Sequence, residues 1–438
     1  MKKLFGTDGL RGTINEELTP ELAMKVGNAV SRLYAGKYKK LLIAKDTRSS
    51  GDLLESALSS GAASAGMDVD LVGVLSTPAL AYLTRKHNYI GAMISASHNP
   101  AVYNGIKVIE KGKKATDDDE VEIENLMAEQ PLHYALHSSV GKIRYAPFYR
   151  DEYLEYVLEL YKDKPLFEGK LALDGANGAI VAVIEDVLNS LNIKADLHFI
   201  EPNGVNINDN CGSLHPEAIG NRLYNDEIGV LFDGDADRCL FVLPKSKVVN
   251  GDMLMALNAK KLQSEGRLMG NLVVSTVMSN LGFEKYLEKL NIKLLRTKVG
   301  DKYVLSKMIE INSNLGGEQS GHIIFMDRNS TGDGLITTLE TLNTLATESK
   351  TLSDFYNNFP VFPQTLKNVP IPNKKEAMEC EKLKKILEKL NKEKDLRVVV
   401  RPSGTEPYVR VMVEGIDEET VNNVSSELVE VVEDCANA

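Results

Sequence analysis

Asp233, Asp235 and Asp237 stand at alternate positions in "DGDADR", with only Gly234 and Ala236 between them. Such small residues let the backbone curl until the three carboxylates converge, and converging carboxylates repel. A hard divalent cation relieves that repulsion. Mg2+ takes oxygen ligands in octahedral geometry, so three protein oxygens leave room for a phosphoryl oxygen and water. A solvated acidic turn is the alternative reading, and it fits a pair of such aspartates better than three in a row at a strand end. An EF-hand loop is excluded, because its twelfth position counted from Asp233 is Pro244 and not Glu.

Four further stretches carry residues that suit phosphate and sugar chemistry. "ISASHNP", Ile94 to Pro100, holds two serines and a histidine before an Asn-Pro turn, and Lys107 follows in "NGIK". It is either a polar loop or the seat of a nucleophile. "RPSGTEP" sets Arg401 at a strand end before Ser403, Gly404 and Thr405. Backbone N–H groups there can form an anion nest, with the guanidinium binding phosphate oxygens in a fork. In the following strand, Val409, Val411 and Val413 share one face, which leaves Arg410 on the other, toward the same anion. "GGEQSGH" offers Glu318, Gln319 and Ser320 between glycines, a set able to read sugar hydroxyls. "GTDGLRG" lacks the Lys and spacing of a Walker loop, yet brings Arg11 in a Gly-rich setting. A surface turn is the alternative for each.

These loops need a scaffold. Segments beginning at Lys40, Lys170 and Asn271 each read as a short apolar strand, a loop, an amphipathic helix and another strand. That is the pattern of α/β domains, and the recurrence suggests three similar ones. The tail differs. "EKLKKILEKL" aligns Leu383, Ile386, Leu387 and Leu390, two strands flank the Arg401 loop, and a last helix aligns Val421, Val424, Leu428 and Val431. It reads as a small α+β domain approached by the Pro-rich "PVFPQTLKNVPIPNKKE". The expected divisions are 1–147 (serine loop), 148–245 (metal loop), 246–356 (sugar loop) and 357–438 (phosphate loop).

Composition bounds the function. At 438 residues, 43% hydrophobic and 26% charged, the chain is an ordinary multidomain globular protein. A net charge of -11 argues against non-specific nucleic-acid binding. No apolar run is long enough to span a bilayer, and the start is too charged for a signal segment. Cys211, Cys239, Cys380 and Cys435 are scattered without metal or disulfide spacing, so reduced thiols in a cytoplasm are expected.

"ISASHNP", "DGDADR", "GEQSGH" and "RPSGTEP", in that order along the chain, resemble the four signature loops of the α-D-phosphohexomutase superfamily over essentially the whole chain, and "FGTDGLRG" is similar to that family's N-terminus. "LGGEQSGHIIF", "STGDG" and "KVGDKYV" look like its glucosamine-phosphate branch, whereas Tyr103 is more like the mannose/glucose branch. The resemblance implies three α/β mixed-sheet domains and an α+β domain around a central cleft. It implies interconversion of glucosamine 6-phosphate and glucosamine 1-phosphate, on the route to UDP-N-acetylglucosamine and cell-wall polymers. Phosphoserine 97 would be the donor and glucosamine 1,6-bisphosphate the intermediate, with that compound or glucose 1,6-bisphosphate as activator. Ser97, Asp233, Asp235 and Asp237 would hold Mg2+. His98 and Lys107 would do acid/base work, Arg11 and Arg238 would line the site, and Glu318, Gln319 and Ser320 would bind the sugar. Arg401, Ser403, Gly404, Thr405 and Arg410 would hold the idle phosphate. The expected partner is a small-molecule sugar phosphate, with no nucleic acid and no membrane; a homodimer is an allowed assembly. The rival enzyme reading is a mannose/glucose phosphomutase, and the rival outside enzymes is a silent sugar-phosphate sensor.

Overall fold

Every loop singled out above joins two antiparallel neighbours at the end of a sheet. In the computed structural model, the described residues are all except 1–3, 7, 130, 349, 372–373, 391, 394, 404–407 and 438, so Gly404 and Thr405 lie outside them. They form two units. The first runs to Thr276 and resumes over Thr297–Tyr356; the second holds Val277–Arg296 and continues from Asn357.

In the first unit, strand Lys40–Lys45 is central to an eight-stranded sheet and runs parallel to both Asp68–Val74 and Ile90–Ile94. Strand Tyr103–Glu110 lies antiparallel to Ile90–Ile94, with Ile94 opposite Ile106, so the stretch 95–102 is their connecting loop. Helices Pro20–Leu33 and Gly51–Ser64 cover one face. They touch backbone to backbone: a Cβ on Gly27 would stand 2.0 Å from the Leu58 carbonyl oxygen, and one on Gly61 2.0 Å from that of Met24. Thr19 caps the first helix by accepting from the Leu22 N–H, with Pro next to it in the first turn. The core beneath is Leu41, Ile43, Val69, Ala92 and Ile94 with Leu54 and Leu58.

The second sheet runs Ala195–His198, Leu171–Asp174, Ile228–Phe232, Cys239–Leu243 and Lys247–Val249. Its first three strands are parallel, and Phe232 opposite Cys239 closes an antiparallel hairpin around residues 233–238. In the third, Leu272–Thr276 is parallel to Leu315–Gly317, which is antiparallel to Ile323–Phe325, with residues 318–322 between them. Parallel strands buried on both faces explain the unbroken apolar runs. The expected mixed α/β architecture is the one the chain forms.

The second unit has a three-stranded antiparallel sheet in the order Gln364–Pro370, Tyr408–Gly415, Leu396–Pro402. The Pro-rich approach segment is therefore a strand over part of its length. Pro360 and Pro363 precede the strand and Pro370 is its last residue, so none interrupts its interior. Helix Glu418–Asn437 packs Val421, Leu428, Val431 and Val432 onto Val409, Val411 and Val413. The third sequence repeat is divided: its helix Leu281–Lys289 belongs to this unit, where the Asn280 amide exchanges hydrogen bonds with the Phe362 backbone, 3.0 Å each way. One expectation is corrected. Cys380 and Cys435 form a disulfide, their Cα atoms 5.8 Å apart across 55 residues of chain. Sequence distance concealed that the last helix returns beside Cys380. Cys211 and Cys239 are free and buried. Among the described residues no helix is long and apolar enough to cross a membrane.

Candidate active site

Ser97 sits in a left-handed backbone conformation, φ 54°, a costly choice for a residue with a Cβ. Its side chain is fully buried, and its Oγ donates to Asp233 Oδ2 at 2.7 Å, with His98 Nδ1 3.3 Å away. Ser95 does different work. Its Oγ accepts from the Ser97 N–H at 2.9 Å and donates to Asp46 at 2.6 Å.

The metal-type loop meets this serine from the second sheet. One oxygen from each of Asp233, Asp235 and Asp237 lies within 4.8 Å of the others, all three residues buried. Ala236 adopts φ 55°, and its N–H donates to the Asp233 carbonyl at 3.0 Å, the curl that the small residues permit. Thr77, from the first sheet's helix Thr77–His87, donates its hydroxyl to Asp235. Lys107 Nζ reaches Asp235 at 2.7 Å, Asp8 at 3.2 Å and Asp237 at 3.8 Å. Asp8 also pairs with Arg11 and Lys114, and Lys114 bridges on to Asp301 at 2.6 Å. A line of alternating charge thus runs from the triad to the third sheet's helix Asp301–Glu310.

Burial, then Asp237 and Asp235, pushes the Asp233 carboxyl well above the usual carboxylate range. Burial and then Asp235 raise Asp237 as well. Burial acts upward on Asp235 too, but Lys107 beside it outweighs this and holds it low. Burial, then Arg238 and Arg11, pushes the His98 imidazole down to about 4. Asp235 Oδ1 and Asp237 Oδ1 are buried without a hydrogen-bond partner. Two orphaned carboxylate oxygens in an all-oxygen set fit a hard divalent cation, which would satisfy them at once.

The hydroxyl-reading loop is stitched to the same hairpin. The Cys239 N–H donates to the Gly321 carbonyl and the Gly251 N–H to that of Gln319, both at 3.0 Å. Glu318 Oε1 accepts from the Gly300 N–H at 3.2 Å, which sets it beside Asp301. Gln319 turns its amide to Asp252, 3.4 Å away, while Ser320 is exposed. His322 is buried, 3.7 Å from Asp301, with neither ring nitrogen hydrogen-bonded. Arg238 donates its N–H to Asp233 and leaves its guanidinium 3.9 Å from Asp237.

In the second unit, Arg401 lies directly opposite Arg410 in the antiparallel ladder. Like charges in that position repel unless an anion lies between them. Burial and then Arg410 lower the Arg401 guanidinium's affinity for its proton. The Ser403 N–H closes the hairpin onto Tyr408 at 2.8 Å, and Lys374 donates to the Ser403 carbonyl at 2.7 Å. Ser97, His98, Arg11, Lys107, Arg238 and the triad come together in the first unit, while Arg401, Ser403 and Arg410 gather in the second. Sequence reasoning missed Asp8, Thr77, Lys114 and Lys374. Only Asp8 had a signal, its place in the Gly-rich loop with Arg11.

Sequence models of the phosphoglucomutase/phosphomannomutase family match three stretches: α/β/α domain I over residues 2–133, α/β/α domain III over 250–362 and the C-terminal domain over 366–431. A phosphoglucosamine mutase of Thermosipho africanus is 47% identical over 98% of both chains. One of Clostridium novyi is 44% identical over 100% of both. Among solved structures, a phosphoglucomutase/phosphomannomutase family protein of Burkholderia thailandensis superposes with a TM-score of 0.83 at 23% identity, covering 99% of this chain and 98% of the other. The N-acetylphosphoglucosamine mutase of Aspergillus fumigatus, in complex with GlcNAc-6P and magnesium, gives 0.71 at 16%, covering 99% and 96%.

Proposed function

The chain belongs to the phosphoglucomutase/phosphomannomutase family, and from that premise we propose that it is a phosphoglucosamine mutase, interconverting glucosamine 6-phosphate and glucosamine 1-phosphate. The contact that carries this reading is Ser97 Oγ against Asp233, inside a buried carboxylate triad. Ser97 in its phosphorylated form is the donor. Its P–Oγ bond breaks as phosphorus bonds to the sugar 1-hydroxyl oxygen, and the proton of that hydroxyl ends on Ser97 Oγ. His98 and Lys107 are the acid/base groups. The product is glucosamine 1,6-bisphosphate, which turns over and returns its 6-phosphate to Ser97 in the reverse chemistry. Asp233, Asp235 and Asp237 would hold Mg2+ together with the phosphoserine; when bound, it offsets charge on the transferring group. Arg11 and Arg238 line the site, Glu318, Gln319 and Ser320 bind the sugar, and Arg401, Ser403, Gly404, Thr405 and Arg410 hold the phosphate not being transferred.

The four-domain division with boundaries near 147, 245 and 356 belongs to the same proposal. So does a cytoplasmic setting, in which the Cys380–Cys435 bridge must resist the glutathione pool. The test is mass analysis of the Ser97 peptide together with turnover of glucosamine, glucose and mannose 6-phosphates, started with glucose 1,6-bisphosphate. Phosphate on Ser97 and preference for the glucosamine compound are expected. No turnover of any sugar phosphate would overturn the enzyme reading, and preference for mannose or glucose would move the chain to the other branch. Light scattering on the same sample decides whether it is a homodimer.

A further inference from the structure

Arg48 is a fully buried cation that does not touch the site's carboxylates. It follows Asp46 at the end of the central strand, and Asp46 Oδ2 accepts from its Nε at 3.0 Å. The rest of the guanidinium is spent on one loop. Nη1 donates to the carbonyls of Pro100 and Tyr103 at 2.6 and 3.0 Å, and Nη2 to those of Ser97 and Asn99 at 3.0 and 2.7 Å. Asn208, from the second sheet's side, takes the same two carbonyls: its Nδ2 donates to Ser97 O at 2.9 Å and Asn99 O at 3.1 Å. It abuts Gly234 of the metal loop, where a Cβ would meet Asn208 Nδ2 at 2.9 Å and Ser97 O at 2.5 Å. The nucleophile's own carbonyl is therefore gripped from the side of each sheet whose loop meets Ser97.

We infer that Arg48 and Asn208 are positioning residues for phosphoryl transfer, holding the Ser97 and Asn99 carbonyls so that Ser97 keeps its left-handed backbone and its Oγ stays on Asp233. The inference rests on Ser97 being the phosphoryl carrier. A left-handed serine relaxes toward ordinary backbone angles unless its neighbours over-determine it. The two side chains and the Asp46–Ser95 pair on the Ser97 N–H fix the peptide groups on either side of it. Neither Arg48 nor Asn208 contacts the reacting atoms, so their effect falls on alignment rather than on sugar binding. A small misplacement of reacting atoms costs up to about 100-fold in rate.

The experiment uses the full-length phosphoenzyme and the variants Arg48→Lys, Asn208→Gly and Asn208→Asp. Glycine tolerates the φ of 55° at position 208, so that variant removes the donor without backbone strain. The Asn208→Asp change keeps the shape of the side chain and loses its N–H. The expected result is a kcat about 10- to 100-fold down with KM for glucosamine 6-phosphate within about twofold. The 31P resonance of phospho-Ser97 should shift, and Mn2+ affinity of the dephosphorylated protein should be unchanged. Wild-type kcat in both Asn208 variants overturns the inference, as does a fall in melting temperature with kcat and 31P shift unmoved. Should Arg48→Lys not fold, the Asn208 variants decide alone. A wild-type enzyme with no phosphate on Ser97 would instead sink the functional reading beneath it.

Discussion

Ser95 and Ser97 are two residues apart, both buried, and chemically alike, yet their contacts assign them different fates. Ser97→Ala removes the hydroxyl that meets Asp233 and should abolish both turnover and the phosphopeptide. Ser95→Ala should keep the phosphate on Ser97, because the acceptor oxygen is untouched. It should still lower stability by about 1–3 kcal/mol, since the Ser97 N–H and Asp46 each lose a buried partner. Phosphopeptide mapping and a thermal melt on the two variants test this; label on residue 95 would reverse the assignment. Asp235→Asn should cut turnover about 100-fold or more and weaken Mg2+ binding in calorimetry, with the fold intact. It removes the charge that both Lys107 and the cation need. At this scale the convergence of the three aspartates was legible, because Gly234 and Ala236 between them permit the curl that the backbone makes. Lys114 was not: its partners Asp8 and Asp301 lie 106 and 187 positions away, and only folding makes them neighbours.

The hairpins around residues 233–238 and 318–322 are joined by the Cys239–Gly321 hydrogen bond, and that junction has no spare room. Gly321 has φ 95°, and a Cβ there would stand 2.4 Å from the Cys239 carbonyl oxygen. Gly321→Ala should therefore cost about 1–3 kcal/mol of stability and raise KM for the sugar phosphate, with phosphorylation of Ser97 retained. A melt and a KM measurement check it; wild-type values in both would show that the loops move independently. Strands and helices flanking these hairpins were readable from periodicity. The strand Gln364–Pro370 was not, because the prolines and Asn368 in "FPQTLKNVPIP" carry turn and loop signals. Pairing along Tyr408–Gly415 overrides them.

For the whole molecule, the proposed chemistry draws on groups from both units: the nucleophile and triad from the first, the facing Arg401 and Arg410 from the second. An anchor on a phosphate outside the bond being made contributes binding and orientation. Arg401→Ala and Arg410→Ala should each raise KM and let more free bisphosphate escape, while hydrolysis of phospho-Ser97 by water changes little. Parallel measurement of the three quantities tests this, and unchanged KM without extra bisphosphate would reduce the loop to a turn. Nothing along the chain signalled that the second unit also takes Val277–Arg296 from its middle.

The Cys380–Cys435 bond turns the last stretch of the chain into a covalent ring. A protease cut at a single site between those cysteines leaves two fragments still chained together, so the nicked protein should run as one band without reductant and as two with it. By the chain-entropy account a ring of this size is worth about 4 kcal/mol, so reductant alone should lower the melting temperature of the unit that carries Arg401 and Arg410.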